Sequence, residues 1–262
     1  MPELPDLEVL KDFIDSNFSG KNILEARLNN SKFLKTKYFP PKIFNKSKLS
    51  KVSRRGKILI FEASNGFKLV FHPMTRGWIK LGEGEIFTLE FDDGTKIGIY
   101  EVEPVNLLQL FIVRKPENLS ILKLIGPEPF EDKFNVDYLL LSSENFKGNI
   151  KKLLTTQKIV AGIGNAYVDE ILWDAKINPF KKPGELGKSS FEAIVKSTKK
   201  VLSEAIKTLK EVSGKDLPPF EYREHLKVHR REGQPCPRCG TLIQAKFEGD
   251  RGTFWCPTCQ PE

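Results

Sequence analysis

Four cysteines near the C-terminal end constrain this chain more than any other feature. Cys236 and Cys239 form one C-x-x-C pair, Cys256 and Cys259 form a second, and sixteen residues separate them. A secreted domain stapled by disulfides spreads its cysteines along the chain. Two close pairs at this separation instead offer four thiolates to one tetrahedral ion. The expectation is one structural Zn2+, held from two tight turns with a β-hairpin between them. All four positions are filled by sulfur, so the site is closed and the metal has no catalytic vacancy. Asp250-Arg251-Gly252-Thr253 has turn-like composition and falls near the tip of that hairpin, where a cation can meet a nucleic-acid groove.

The remaining sequence changes character twice. Leu7, Leu10, Phe13, Ile14 and Phe18 recur at helical spacing, and Ser19-Gly20 closes that helix. From about 22 to 112, short apolar runs such as 58–61, 67–71 and 87–91 alternate with turns. Ser64-Asn65-Gly66 and Asp92-Asp93-Gly94 read as hairpin turns, so this region is expected to be a β-sandwich. Gly126-Pro127-Glu128-Pro129 breaks the pattern. Helical periodicity then governs about 135 to 211, most clearly in Ile194, Val201, Leu202, Ala205, Ile206 and Leu209. The expected organisation is α+β and multidomain. Residues 1–130 form an N-terminal β-sandwich with a flanking helix, 131–225 a helical domain, and 226–262 the zinc finger.

The formal net charge of +8 favours a polyanionic partner without proving one. No apolar run reaches membrane-spanning length. The N-terminus lacks the basic-then-apolar order of a signal peptide, so a cytoplasmic location is expected.

Two short segments carry chemistry. Pro2 follows the initiator Met, and removal of that Met leaves a free secondary amine. An α-amino group has a pKa of about 7.7–8, against about 10.4 for lysine. Such an amine attacks a sugar C1′ and forms an iminium directly, which is covalent catalysis by Schiff-base chemistry. Glu3 beside it is placed to move protons. In isolation this opening is an ordinary one. The second segment, Gln157 to Tyr167, sets Gly162 and Gly164 just before a helix starting near Ala166. Glycines there let backbone N–H groups approach a phosphate, and Asn165 is expected to cap the helix and donate to a phosphate oxygen. A tight helix–helix turn satisfies the same pattern.

In combination these residues resemble the formamidopyrimidine-DNA glycosylase and endonuclease VIII family. Met1-Pro2-Glu3-Leu4-Pro5-Asp6 is similar to its opening, with Asp6 where the family has Glu. Arg54-Arg55-Gly56-Lys57 is similar to its strand entry, and residues 124–129 to its linker. Gly162 to Tyr167 resembles its helix-two-turn-helix motif, and Arg251 with Cys256 to Gln260 its zinc-finger end. The similarity is collinear and runs nearly end to end.

The resemblance implies base-excision repair of damaged double-stranded DNA by a monomeric glycosylase and abasic-site lyase. It implies Pro2 as nucleophile, Glu3 as acid/base, Lys57 as an aid to β-elimination and Arg251 to δ-elimination. It also implies phosphate contacts from Lys158, Gly164 and Asn165. Met74 is implied as the wedge that fills the space of a flipped base, and a core methionine is the plainer reading of that residue. The family's Asp-Pro-Arg-Arg-Phe-Gly loop is replaced here by Glu103-Pro104-Val105-Asn106-Leu107-Leu108. The stretch Ser213–Tyr222, where the family caps the lesion, is short. Both departures concern target choice, so broader or altered lesion specificity is expected, with 8-oxoguanine in doubt. A non-catalytic binder of damaged or abasic DNA with the same fold is the alternative.

Overall fold

The computed structural model describes residues 1–36 and 38–262. The chain divides into two compact units. One comprises 1–123 with 209–222, and the other 124–208 with 223–262.

The first unit opens with helix α1 (Leu4–Phe18), followed by strands β1 (Ile23–Leu28), β2 (Leu49–Arg55), β3 (Ile58–Ala63) and β4 (Lys68–His72). Then come β5 (Gly77–Leu81), β6 (Phe87–Phe91), β7 (Lys96–Glu101), β8 (Gln109–Val113) and the short helix α2 (Ser120–Lys123). The strands form two four-stranded sheets, in the orders β1-β6-β7-β5 and β2-β3-β4-β8. All of the pairings are antiparallel.

Phe61, Phe71 and Ile112 of one sheet share a single buried cluster with Phe87, Phe91 and Ile97 of the other, so the sheets face each other as a sandwich. Strand β3 is buried along Ile58–Phe61 without the usual alternation. Helix α1 packs on β2 and β3 and covers their outer face, so both sides of the strand are dry. The two expected hairpin turns form. Gly66 (φ 83°) and Gly94 (φ 81°) take the left-handed conformation that a side chain would strain.

The second unit holds helices α3 (Val136–Ser143), α4 (Ile150–Thr155), α5 (Asn165–Asp174) and α6 (Lys188–Ser213), of which α6 runs on into the first unit from Leu209. The hairpin of β9 (Gln244–Glu248) and β10 (Arg251–Trp255) follows. Phe191, Ile194, Leu202 and Ala205 line the buried face of α6, as the helical spacing predicts. Arg251 does not sit in the turn. Gly249 and Asp250 make the tip, and Arg251 is the first residue of β10, opposite Glu248.

Candidate active site and metal centre

The N-terminus of the first unit is built around the start of α1. Glu3 is its N-cap residue, with extended backbone, and the Asp6 carboxylate accepts the Glu3 N–H at 2.8 Å. This locks the chain at the point where Pro2 and Glu3 precede the helix. Pro5 sits in the first turn, where its missing N–H leaves no helical bond unmade. Pro2 and Glu3 are both buried.

Lys57 follows Gly56, whose φ of 56° turns β2 into β3. Arg54 braces that turn, donating to the Gly56 carbonyl at 2.9 Å and to Glu8 at 2.6 Å. Lys57 is 8% exposed, and its Nζ lies 3.7 Å from the Met1 sulfur. The N-terminal ammonium pairs with Glu221. Pro2, Glu3 and Lys57 are thus gathered at one end of the sandwich, together with Glu221. Nothing local in the sequence points to Glu221, which is 220 residues away.

His72 joins the same neighbourhood. Burial, and then the Lys57 ammonium, hold it at about 4 instead of the usual 6.5. Its Nδ1 accepts the Met74 N–H at 2.9 Å. Met74 carries a left-handed φ of 52° in the loop joining the two sheets, and it lies outside the hydrophobic core. The sign of the His72 shift sets a pH dependence. An unfolded chain takes up the proton near pH 6.5, whereas the folded chain resists until about pH 4. Stability present above pH 6.5 is therefore lost as pH falls through that window. Urea midpoints from pH 7.5 to 4.5 are expected to fall less steeply for His72→Asn, which keeps an acceptor for Met74. Equal slopes would remove His72 as the cause.

In the loop after β7, the Glu101 carboxylate accepts the backbone N–H groups of Asn106, Leu107 and Leu108 at 2.8, 3.0 and 3.2 Å. Asn106 is left-handed at φ 58°. The turn so held presents Val105 and Leu107 to solvent, 41% and 48% exposed.

In the second unit, Gln157 wraps the glycine turn. It accepts the Gly162 N–H at 2.9 Å and donates to the Ile163 carbonyl at 2.7 Å. Gly164, not Asn165, is the N-cap of α5. The expected cap is displaced because the Asn165 amide reaches the Gly252 carbonyl in the finger hairpin, at 2.9 Å. The structure therefore brings Asn165 to the residue next to Arg251. Lys158 and Arg251 are both exposed.

The four cysteine sulfurs lie within 4.8 Å of one another, with separations of 3.4, 3.5 and 3.9 Å between Cys239–Cys256, Cys239–Cys259 and Cys236–Cys259. A tetrahedron with Zn–S bonds of about 2.3 Å has edges of about 3.8 Å, so the set fits one zinc. Burial, and then the neighbouring thiols, push Cys259 up to about 12, whereas hydrogen bonds led by Thr241 bring Cys239 down to about 6. Four thiolates this close need a cation among them. Trp173 Nε1 donates to Cys236 Sγ at 3.4 Å, and Gln260 accepts the Cys256 N–H at 2.9 Å. The centre is one structural zinc.

Three family models match in order. Residues 1–101 match the formamidopyrimidine-DNA glycosylase N-terminal domain, 125–215 its H2TH domain, and 233–261 the zinc finger found in FPG and IleRS. The formamidopyrimidine-DNA glycosylase of Desulforamulus reducens is 30% identical over 274 residues, covering 99% of both chains. The chain belongs to the formamidopyrimidine-DNA glycosylase family.

A relative from Bacillus cereus is 29% identical over all of this chain and 99% of its own. Among solved structures, Lactococcus lactis Fpg in complex with abasic-site DNA superposes with a TM-score of 0.87 at 30% identity, covering 99% of this chain and 100% of that one. MutM bound to DNA containing carbocyclic 8-oxo-G gives 0.87 at 30%, with full coverage of both. The fold is thus that of a base-excision repair glycosylase, as the collinear motifs imply.

Proposed function

We propose that this member of the family excises an oxidatively damaged base from double-stranded DNA and then cuts the strand, acting as a monomer. In this reading the Pro2 nitrogen attacks C1′. The bond to the base breaks, and Glu3 exchanges protons with the sugar and the departing base. The ring opens to an iminium. Loss of a C2′ proton then expels the 3′ phosphate, with Lys57 assisting. Loss of a C4′ proton next breaks the bond to the 5′ phosphate, with Arg251 assisting, and water releases the sugar fragment from Pro2. Lys158, Gly164 and Asn165 hold phosphates and Met74 fills the vacated stack. Segments 1–130, 131–225 and 226–262 divide the catalytic, helical and finger roles. Among the described residues, no helix is long and apolar enough to cross a membrane. The proposed place of action is the cytoplasm, with the chromosomal DNA. The observation that carries the reading is the gathering of Pro2, Glu3 and Lys57 around the start of α1.

Target choice is proposed to be broad. By comparison with the family's Asp-Pro-Arg-Arg-Phe-Gly loop, the Glu101-held turn has Val105 in place of the arginine that would read the opposite base and Leu107 in place of the intercalating phenylalanine. A bidentate arginine–base contact is worth about 1–3 kcal/mol, or roughly 5- to 150-fold in discrimination. Duplexes carrying one formamidopyrimidine, one oxidised pyrimidine or one 8-oxoguanine, each opposite all four bases, test this. The expected result is excision of the first two within about tenfold across opposite bases, the spread left when that contact is missing. Excision of 8-oxoguanine paired with cytosine as fast as the best lesion would contradict broad choice. Tight binding of every duplex without cleavage would favour a non-catalytic damage binder.

A further inference from the structure

A buried ionic cluster in the second unit has no part in the chemistry above. Lys151 of α4 is 8% exposed, and its ammonium meets three acceptors. These are Asp169 Oδ1 at 2.8 Å, the Gly252 carbonyl at 2.9 Å and Thr253 Oγ1 at 2.9 Å. The first is an ion pair and the other two are hydrogen bonds. The Asp169 side chain is wholly buried, and its second oxygen lies 2.7 Å from His229 Nδ1. Its neighbour Glu170 accepts the backbone N–H groups of Lys227, Val228 and His229, each at 2.9 Å. Helix α5 thereby grips the strand of chain that leads into the finger.

The Lys151 and Asn165 links converge on the residues beside Arg251. Gly252 accepts from both Lys151 and Asn165 through one carbonyl oxygen. A side chain at Gly252 would meet the Phe254 ring at 2.7 Å, so the backbone there admits no easy substitute. Buried ion pairs contribute little net stability compared with apolar packing. What this one does is fix two consecutive residues of a two-stranded hairpin, an element that is marginal by itself. Arg251 is an exposed, flexible side chain on that hairpin, and its base is set by where Gly252 is held.

We infer that Lys151 and Asp169, braced by His229, are positioning residues that aim Arg251 for the second elimination. The inference rests on the reading of Arg251 given above. It separates two steps that share one iminium. Elimination of the 3′ phosphate does not use Arg251, whereas elimination of the 5′ phosphate does.

The experiment uses the full-length, zinc-loaded chain on duplex DNA with a preformed abasic site, in a single turnover at saturating protein. Products ending in the unsaturated aldehyde and in phosphate are separated on a gel. Lys151→Met and Asp169→Asn are compared with Arg251→Ala, and zinc content is measured for each. Displacement of a catalytic group by about 1 Å can cost 100-fold. Lys151→Met and Asp169→Asn are therefore expected to lower the ratio of δ to β product by roughly 10- to 100-fold, with total β-elimination close to wild type. Should Lys151→Met lose its zinc, the near-isosteric Asp169→Asn decides. A wild-type ratio in a zinc-loaded variant overturns the inference while Arg251→Ala still lowers it. Parallel loss of both products in the two variants also overturns it, since a merely structural role would do that. A wild-type ratio in Arg251→Ala overturns the role of Arg251 and this inference with it.

Discussion

Blocking the Pro2 amine with an uncleaved N-terminal extension is expected to abolish borohydride trapping on abasic DNA, by three orders of magnitude or more, on the order of what loss of a catalytic nucleophile costs elsewhere. The reason is elementary. In the encoded chain the Pro2 nitrogen is an amide, with no lone pair to offer. Met1 covers the position, its ammonium paired with Glu221 and its sulfur against Lys57. Removal of Met1 frees a secondary amine in that same place. At pH 7 roughly one α-amine in seven is unprotonated, against roughly one ordinary lysine in 2,500. The measurement is the yield of covalent protein–DNA adduct after reduction, compared with the processed chain and with Lys57→Met. Lys57→Met is expected to trap, with slower strand cleavage. An extended chain that traps as well as the processed one would move the Schiff base off Pro2, with Lys57 the first place to look.

What could be read in the sequence was chemistry held in short stretches. The two C-x-x-C pairs, the glycines ahead of α5 and the Met1-Pro2-Glu3 opening are local patterns. Each needs only its own neighbours to make sense. The sandwich was legible because turns such as Ser64-Asn65-Gly66 separate apolar runs of strand length. The features that escaped depend on partners far along the chain. Asn165 looked like a helix cap because Asn is a good one. Its amide goes instead to Gly252, 87 residues on. Nothing local singles out Lys151 among the lysines of a basic chain, and only the fold sets it against Asp169 and the finger. The Glu101 clamp on residues 106–108 spans only a few positions, yet a lone Glu at a strand end carries no signal that it will bind three amides.

Stripping the zinc is expected to have the other large effect, confined to the second unit. The hairpin β9–β10 buries little of its own apolar surface, since Phe247 is 58% exposed. Phe254 is its buried aromatic side chain, in a small cluster with Ile243, Trp173, Val228, Cys236 and Cys256, against which Ala245 packs. Binding of structural zinc is worth about 10–16 kcal/mol in finger peptides, more than a two-stranded ribbon can supply by packing. Without the ion, four sulfurs within 4.8 Å of one another must reprotonate, and the turns that present them lose their reason to close. Gly252 and Thr253 then leave Asn165 and Lys151, and of its three partners Lys151 keeps only the Asp169 carboxylate. Replacing Cys256 and Cys259 together by Ser, or chelating the metal, should release one zinc per chain by mass spectrometry. Far-ultraviolet circular dichroism should change little, since α1, α6 and the sandwich do not need the ion. Binding to abasic DNA should weaken by about 100-fold or more, the loss of several phosphate contacts at once, and the phosphate-ended product should vanish first. Full binding by the metal-free chain would mean that the finger is an ornament on this enzyme. Oxidation of the cysteines to disulfides under mild conditions, without metal release, would instead make the cluster a redox centre.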